Sequence, residues 1–423
     1  MISAPAAVPS HHEPLIARST HPRTRAGIGG EYSAINSAID ELIPARVRGW
    51  VDLGINGSWW LGTAAGALIS IPLLDPKLFR IDLGWRLAFG LGAILGLGIL
   101  FTRRMLPESP RWLMIKGRKS EAEEIVRQIE LDVSRQTGTE LEQREDTIEI
   151  EPREATGFRE IARTMFSRYR GRTVLGLTMM SAQAFAYNAV FFTYGLVLTN
   201  LMHAKANHVG YYIVPFALGN FLGPILLGPL FDRVGRRVML TITHAAAGGV
   251  LAVTAVLFER HQLSAISLTV LWCVVFFFAS AAASAAYLTV SEVFPLEIRA
   301  LAIAFFYAIG TGLGGILGPA LFGKLIASKS FLEVAVGFWI AAAWLLIAAV
   351  VVWFLAVDAE QKPLEEVAEP LSSTEDEDAA DEPTGRERRE VGGYPVRAGA
   401  HWSPRYSFHG DARGPLRRDR TRS

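Results

Sequence analysis

The chain has a single cysteine, Cys273, among 423 residues. One thiol excludes a disulfide framework and a cysteine metal site, and its place inside an apolar run assigns it to packing. Charge is also scarce: 20 % of residues are Asp, Glu, Lys or Arg, and the net charge is +1. With no basic stripe to neutralise a run of phosphates, a nucleic-acid partner is not expected. No GxxxxGKS/T loop, His/Cys cluster or nucleophile, base and orienter set occurs. Neither ATP hydrolysis, other catalysis, a metal nor a cofactor is therefore expected. Residues 1–25 hold Pro, His, Arg and small residues without the apolar core of a secretory signal, and read as a disordered arm.

Apolar residues, by contrast, make up 50 % of the chain. They gather in nine stretches: Ala26 to Pro44, Val51 to Leu74, Leu83 to Phe101, Thr173 to Thr199, Gly210 to Phe231, Val238 to Phe258, Ala265 to Val290, Ala300 to Phe322 and Glu333 to Val357. Roughly 20 residues of helix cross the ~30 Å of a bilayer's hydrocarbon. Buried helices of a large soluble protein would show a polar face, and these stretches do not. The expectation is a polytopic, all-α membrane protein surrounded by lipid.

Basic residues in short connections set orientation. Arg46 and Arg48, the basic residues between 103 and 172, Arg233, Arg236, Arg237 and Arg299 lie on one side, read as cytoplasmic together with the C-terminal tail. Lys77, Arg80, Lys205, Arg260, Lys324 and Lys329 lie on the other. An odd number of spans then leaves Arg18, Arg23 and Arg25 outside, where basic residues are disfavoured, and the leading span carries Glu31, Asn36, Asp40 and Glu41. Carboxylates at membrane depth need other helices or water to receive them. Both features are expected if further helices once preceded this span.

The connections carry recurring strings. ELIPARVRG (Glu41 to Gly49) follows the first span, PESPRWL (Pro107 to Leu113) the third, DRVGRR (Asp232 to Arg237) the fifth and SEVFPLEIR (Ser291 to Arg299) the seventh, with EQKPLEE (Glu360 to Glu366) after the last. In this order and spacing they resemble the loop motifs of the major facilitator superfamily, in particular its sugar porter-like branch. The resemblance implies that fold, truncated at its N-terminus to about nine transmembrane helices. It divides the chain into a non-homologous arm (1–25), a partial N-terminal half holding family helices four to six (26–106), a cytoplasmic amphipathic helical linker (107–172), a six-helix C-terminal half (173–357) and a disordered cytoplasmic tail (358–423).

The resemblance further implies a monomeric secondary transporter of a small polar metabolite, a sugar or an organic acid, working by alternating access in the cell membrane, with proton symport open. A truncated, non-transporting remnant or a membrane sensor is the alternative. Glu41, Arg48, Glu108, Arg111, Asp232, Arg233, Arg236, Glu292 and Arg299 match the charged residues that latch the two halves at their cytoplasmic ends. Asn56, Gln183, Asn188 and Asn220 match sugar-contacting amides, which both donate to and accept from hydroxyls, and Tyr287 stands where the family has a tryptophan. Glu31, in a GGEY string resembling that of proton-coupled metabolite symporters, is read equally as a proton-titrating group and as the partner of an arginine on a lost helix. His244 and Asp52 are weaker candidates for proton coupling, read first as structural or interfacial. Gly310, Gly314 and Gly318 depart from the sugar-site pattern and read as a close-packing seam, as do Gly62 with Gly66 and Gly219 with Gly223.

Expressed in cells, the chain is expected to sediment with membranes, resist alkaline carbonate and enter solution only with detergent. Recovery in the aqueous fraction would contradict the membrane assignment.

Overall fold

In lipid a backbone must satisfy its own N–H and C=O groups, so apolar runs of this length fold as helices. A computed structural model of the protein describes residues 42–75, 77–102, 108–138, 147–150, 158–191, 193–205, 208–368 and 394–397, together with Asn36, Ile39 and Leu371. In order along the chain come α1 (Arg48–Gly57), α2 (Trp59–Leu73), α3 (Ile81–Thr102), α4 (Pro110–Ile115), α5 (Lys119–Thr137), β1 (Thr147–Ile150), α6 (Phe158–Arg163), α7 (Arg170–Ala186), α8 (Tyr194–Asn200), α9 (Val209–Arg233), α10 (Arg236–Glu259), α11 (Ala265–Val293), α12 (Leu296–Ala327), α13 (Phe331–Leu355), α14 (Leu364–Val367) and β2 (Tyr394–Arg397). π-Helical turns at Thr164–Arg168 and Tyr187–Phe191 flank α7.

Six segments are long and apolar enough to cross a membrane: Arg170–Asn200, Val209–Arg233, Arg236–Glu259, Ala265–Val293, Glu297–Ala327 and Phe331–Leu355. They coincide with the last six expected spans. The third expected span lies within α3, whose apolar stretch, Leu83–Gly98, is shorter. The second is not one helix. At Ser58 the hydroxyl turns back to the Ile55 carbonyl at 2.7 Å and the helix is interrupted, leaving α1 and α2 end to end. Most of the first expected span and all of residues 1–25 lie outside the described residues.

Local chemistry sets several ends. Ser264 and Ser267 form a reciprocal capping box at the start of α11, and the Ser330 hydroxyl accepts from the Glu333 N–H at the start of α13. Between α9 and α10 the chain reverses through Gly235, whose φ of +111° is open to glycine and strained for any other residue.

Packing positions the site. α10 lies against α11 and α13, and α7 against α12, α13 and α11. α9 packs on α11 and also on both α1 and α2, while α11 reaches α1. The α9–α11 crossing is close enough that a Cβ at Gly223 would overlap the Phe277 carbonyl oxygen. Gly310 and Gly314 meet the backbone of Met180 and Ala184 on α7 in the same way. These seams match expectation. Gly62 and Gly66 do not: nothing lies within 4 Å of a Cβ built at either, so that pair faces open space instead of a neighbouring helix.

Polarity is inverted relative to a water-soluble protein. Phe89 is 76 % exposed, Phe354 74 % and Ile266 68 %, whereas Asn220, Arg236 and Glu292 are buried. Lipid is the solvent that tolerates such a surface. The linker carries the expected amphipathic helix as α5, preceded by Arg118, whose guanidinium donates to Glu121 and holds that carboxyl below its ordinary range. The linker is not wholly helical, and the tail is not wholly without structure. Tyr394–Arg397 pairs antiparallel with Thr147–Ile150, where β-branched residues alternate with polar ones, and Leu364–Val367 forms a short helix.

Gly223→Val is expected to separate α9 from α11 and destabilise the protein by about 1–3 kcal/mol or more. Gly249→Val, at a position with nothing within 4 Å, is the matched control and should leave melting in detergent unchanged. Equal melting of the two variants would contradict the seam.

Candidate functional site

At the end of the bundle that carries the α9–α10 turn, four charged side chains from four helices are buried together. Arg236 donates through Nε and Nη2 to the two carboxylate oxygens of Glu292, both at 3.0 Å, and through Nη1 to Asp232 Oδ1 at 3.0 Å. A further Arg236 Nη1 bond, to the Phe231 carbonyl, measures 2.8 Å. Arg48 Nη1 stands 3.7 Å from Glu292 Oε1. Two guanidiniums thus face two carboxylates, and all four side chains are 6 % exposed or less. Charge balance and paired geometry are what make such burial tolerable.

Asp232 has a second role. Its Oδ1 accepts from the Gly49 N–H at 3.1 Å and its Oδ2 from the Trp50 N–H at 2.8 Å. These are unpaired amides of the first turn of α1, a helix whose own N-cap residue, Val47, supplies no side-chain cap. A carboxylate on α9 therefore caps α1 from outside, where the helix dipole also favours negative charge. Gly49 permits the approach, because a Cβ there would overlap Asp232 Oδ1 and the Arg236 guanidinium. Residues after the last span close over the cluster: Gln361 Nε2 donates to the Asp232 carbonyl at 2.8 Å, and the Arg236 N–H donates to Glu360 Oε2 at 3.3 Å.

Of the nine residues expected in the latch, Arg48, Asp232, Arg236 and Glu292 come together. Arg299 is buried near the start of α12, while Glu108 and Arg233 are exposed and stand outside the cluster. Arg111 is the second residue of α4 and its side chain lies outside the described residues, as does Glu41 altogether. Glu31 also lies outside them.

The expected solute-binding amides do not form one group. Asn220 is fully buried on α9; its Oδ1 accepts from the Tyr187 hydroxyl at 3.0 Å and its Nδ2 donates to the Phe216 carbonyl at 2.9 Å. Asn188 donates from the π turn back to the Ala184 carbonyl of α7 at 2.7 Å, and Gln183 Nε2 lies 3.5 Å from Met180 Sδ. Asn56 turns elsewhere, donating to Asn36 Oδ1 at 3.0 Å and to Asp52 Oδ1 at 3.1 Å. Asp52 and Asn36 are both fully buried, so the polar residues of the leading span and of α1 meet there. Tyr287 is buried on α11 beside Tyr307, with ring centroids 6.3 Å apart. His244 is buried and donates through its Nδ1–H to the Leu240 carbonyl, 2.8 Å away.

Two participants were not anticipated. Tyr187, next to Asn188, supplies the hydroxyl at Asn220, and Trp60 stacks beside it at 5.5 Å between centroids. The signal for Tyr187 is its place one residue before an expected site amide; Trp60 had none beyond being a tryptophan in a span.

Apolar spanning helices outside and a charge-balanced ionic cluster inside define a multi-pass integral membrane protein. The fold is that of the major facilitator superfamily: a solved structure of the proton:xylose symporter XylE superposes with a TM-score of 0.63 at 21 % identity, covering 78 % of this chain and 69 % of that one. The model of the "Sugar (and other) transporter" family matches residues 26–371, and the chain belongs to that family. The niacin transporter NiaP of Acinetobacter baylyi is 27 % identical over 345 residues, 81 % of this chain and 73 % of its own length. A probable plastidic glucose transporter of Arabidopsis thaliana is 28 % identical over 292 residues, 67 % of this chain and 55 % of its own. The proline/betaine transporter of Escherichia coli is 26 % identical over 309 residues, 71 % and 55 %. The chain thus spans little more than half the length of the last two relatives.

Asp232→Ala removes both the α1 cap and a partner of Arg236. Breaking a buried pair from one side costs about 3–5 kcal/mol. The variant is expected to melt at a lower temperature in detergent and to label faster with a membrane-impermeant maleimide at a cysteine replacing Leu53, which is fully buried beside the seam. Unchanged melting and labelling would contradict the latch.

Proposed function

We propose that the chain carries a secondary transporter that moves a small polar metabolite, a sugar or an organic acid, by alternating access. The observation that carries this reading is the buried cluster of Arg48, Asp232, Arg236 and Glu292, which ties α1 to α9 and α11 at one end of the bundle. Transporters of this fold rock two halves about a site near the membrane midplane. Opening one face requires ionic contacts that can part and re-form, and a balanced cluster at helix ends supplies them. The tightness of the closed state comes from paired hydrogen bonds, while reversibility comes from water entering as the ends separate.

Solute is assigned to the polar groups deeper in the membrane, Asn56, Gln183, Asn188, Asn220 and Tyr287, although they do not form one group here. Gln183, Asn220 and Tyr287 are buried and Asn56 and Asn188 partly so, which supports that assignment, since amides at membrane depth are costly without a task. Proton coupling is assigned to Glu31. Relatives whose names record transport of niacin, glucose and proline or betaine support a small-metabolite carrier of this breadth.

Purified protein in proteoliposomes is expected to accumulate at least one solute from a panel of sugars and organic acids, with a pH gradient raising the rate if Glu31 titrates. Gln183→Ala should weaken solute affinity about tenfold without impairing insertion. Failure to move any solute, with or without the gradient, would overturn transport.

A further inference from the structure

Where α10 starts and α13 ends, the surface carries a cavity of about 450 Å3 that neither the ionic cluster nor the buried amides use. That volume lies in the ~300–1,000 Å3 range of small-molecule sites. Its lining is of two kinds: the charged groups of Arg237, Asp358 and Glu360, and the apolar surfaces of Val234, Trp353 and Phe354. Trp353 is twenty-two residues on from Phe331, the first of α13, and at ~1.5 Å of rise per residue stands ~33 Å along the axis. That is the depth at which ~30 Å of hydrocarbon gives way to headgroups and where tryptophans collect. Trp353 is half-exposed and Phe354 and Val234 are exposed, so the apolar part of the lining meets lipid. Asp358 and Glu360 follow beyond the end of the helix.

The charged groups have bonding capacity to spare. A guanidinium carries five N–H hydrogens. Arg237 Nε and Nη2 donate to the Ala356 carbonyl at 3.2 and 2.9 Å, and Nη2 lies 3.3 Å from Asp358 Oδ2. These contacts fix the fork against the end of α13, and no described residue accepts from Nη1. Glu360 Oε2 accepts from the Arg236 N–H at 3.3 Å, while Glu360 Oε1 and Asp358 Oδ1 have no described donor. Lys362, the next cation along the chain, gives its ammonium to the Asp358 carbonyl at 2.8 Å and is not part of the lining.

One cation and two carboxylates therefore stand together above an apolar, lipid-facing surface. Sites for anionic lipids are built from clustered Lys and Arg, and two carboxylates would repel such a headgroup. A phosphate suits the free donors of Arg237, and the carboxylates then call for a cation on the same headgroup. Choline supplies the charge without an N–H; a primary ammonium supplies three, which the unfilled carboxylate oxygens can accept.

We infer that this cavity holds the headgroup of a phosphatidylethanolamine, its phosphate on Arg237, its ammonium on Asp358 and Glu360, and its acyl chains over Val234, Trp353 and Phe354. The inference stands apart from the transport reading. Because Glu360 also bonds the Arg236 backbone, a bound headgroup braces the residues that close over the ionic cluster.

Native mass spectrometry of the full chain with phosphatidylethanolamine, phosphatidylcholine or phosphatidylglycerol of identical acyl chains tests it, with soluble O-phosphoethanolamine as a fourth probe. Phosphatidylethanolamine is expected to bind about tenfold more tightly than the other two lipids, and O-phosphoethanolamine, which has no chains, more weakly than any of them. Arg237→Ala should weaken phosphatidylethanolamine about tenfold. Asp358→Asn combined with Glu360→Gln should bring it down to the level of phosphatidylcholine and leave phosphatidylcholine unchanged. Asn and Gln keep the acceptors that Arg236 and Arg237 use, so this variant carries the test if Arg237→Ala does not fold, as melting in detergent will show. Equal binding of the three lipids, as a nonselective lipid annulus gives, overturns the inference, as does tighter binding of phosphatidylglycerol or a preference for phosphatidylethanolamine that the carboxylate variant does not move. Binding of O-phosphoethanolamine as tight as that of the lipid assigns the cavity to a soluble phosphate ester and overturns the lipid.

Discussion

One carboxylate holds two helices in register. Asp232 belongs to α9, yet it satisfies the first-turn amides of α1 and at the same time anchors Arg236, which in turn grips Glu292 on α11. An exposed ion pair between such helices would be worth little, because water competes for both partners. Here the charges are buried, balanced and hydrogen-bonded, so losing any one strands the rest. The arrangement holds while the helix ends touch and has no half-formed state, which is the character required of a contact between parts that must meet and separate as units.

The consequence for the bundle is a division of labour along the membrane normal. Ionic contacts do the work at one end. Glycine-to-backbone crossings, such as Gly223 against Phe277 and Gly314 against Ala184, hold the middle of the helices at close range, where lipid provides no hydrophobic drive for association. Beside those crossings lies the aromatic group around the buried Asn220 amide. Each device suits its local medium: charge where water can enter, shape where it cannot.

The sequence made the helices and the latch legible because both are written in local strings. Hydropathy over about 20 residues marks a span regardless of its neighbours, and Asp232 with Arg236 sits in one six-residue motif. The solute site was less legible. The residues proposed for it come from α1, α7 and the π turn after it, α9 and α11, and an amide four residues from a backbone carbonyl can turn inward or back to its own helix. Asn188 takes the second course, and Asn56 turns to Asp52, a choice made by rotamers and neighbours that spacing does not contain. Trp60 was invisible for the same reason, since its partners lie more than a hundred residues away in the chain. The interruption at Ser58 was also hidden, because hydropathy does not register a hydroxyl that bonds to its own helix. The pairing of Thr147–Ile150 with Tyr394–Arg397 was hidden by distance along the chain.

The wide turn at Tyr187–Phe191 has a mechanical meaning. A π turn holds one residue more than an α turn, and absorbing that residue into regular α geometry would twist everything beyond it by about 100° and advance it by ~1.5 Å. Asn188, inside the wide turn, bonds back to the Ala184 carbonyl of α7 and so ties the looser pitch to the regular helix before it. The stub beyond, α8, takes its rotation from that wide turn, which brings the buried Tyr194 ring against Trp272 of α11 and its hydroxyl to Thr269.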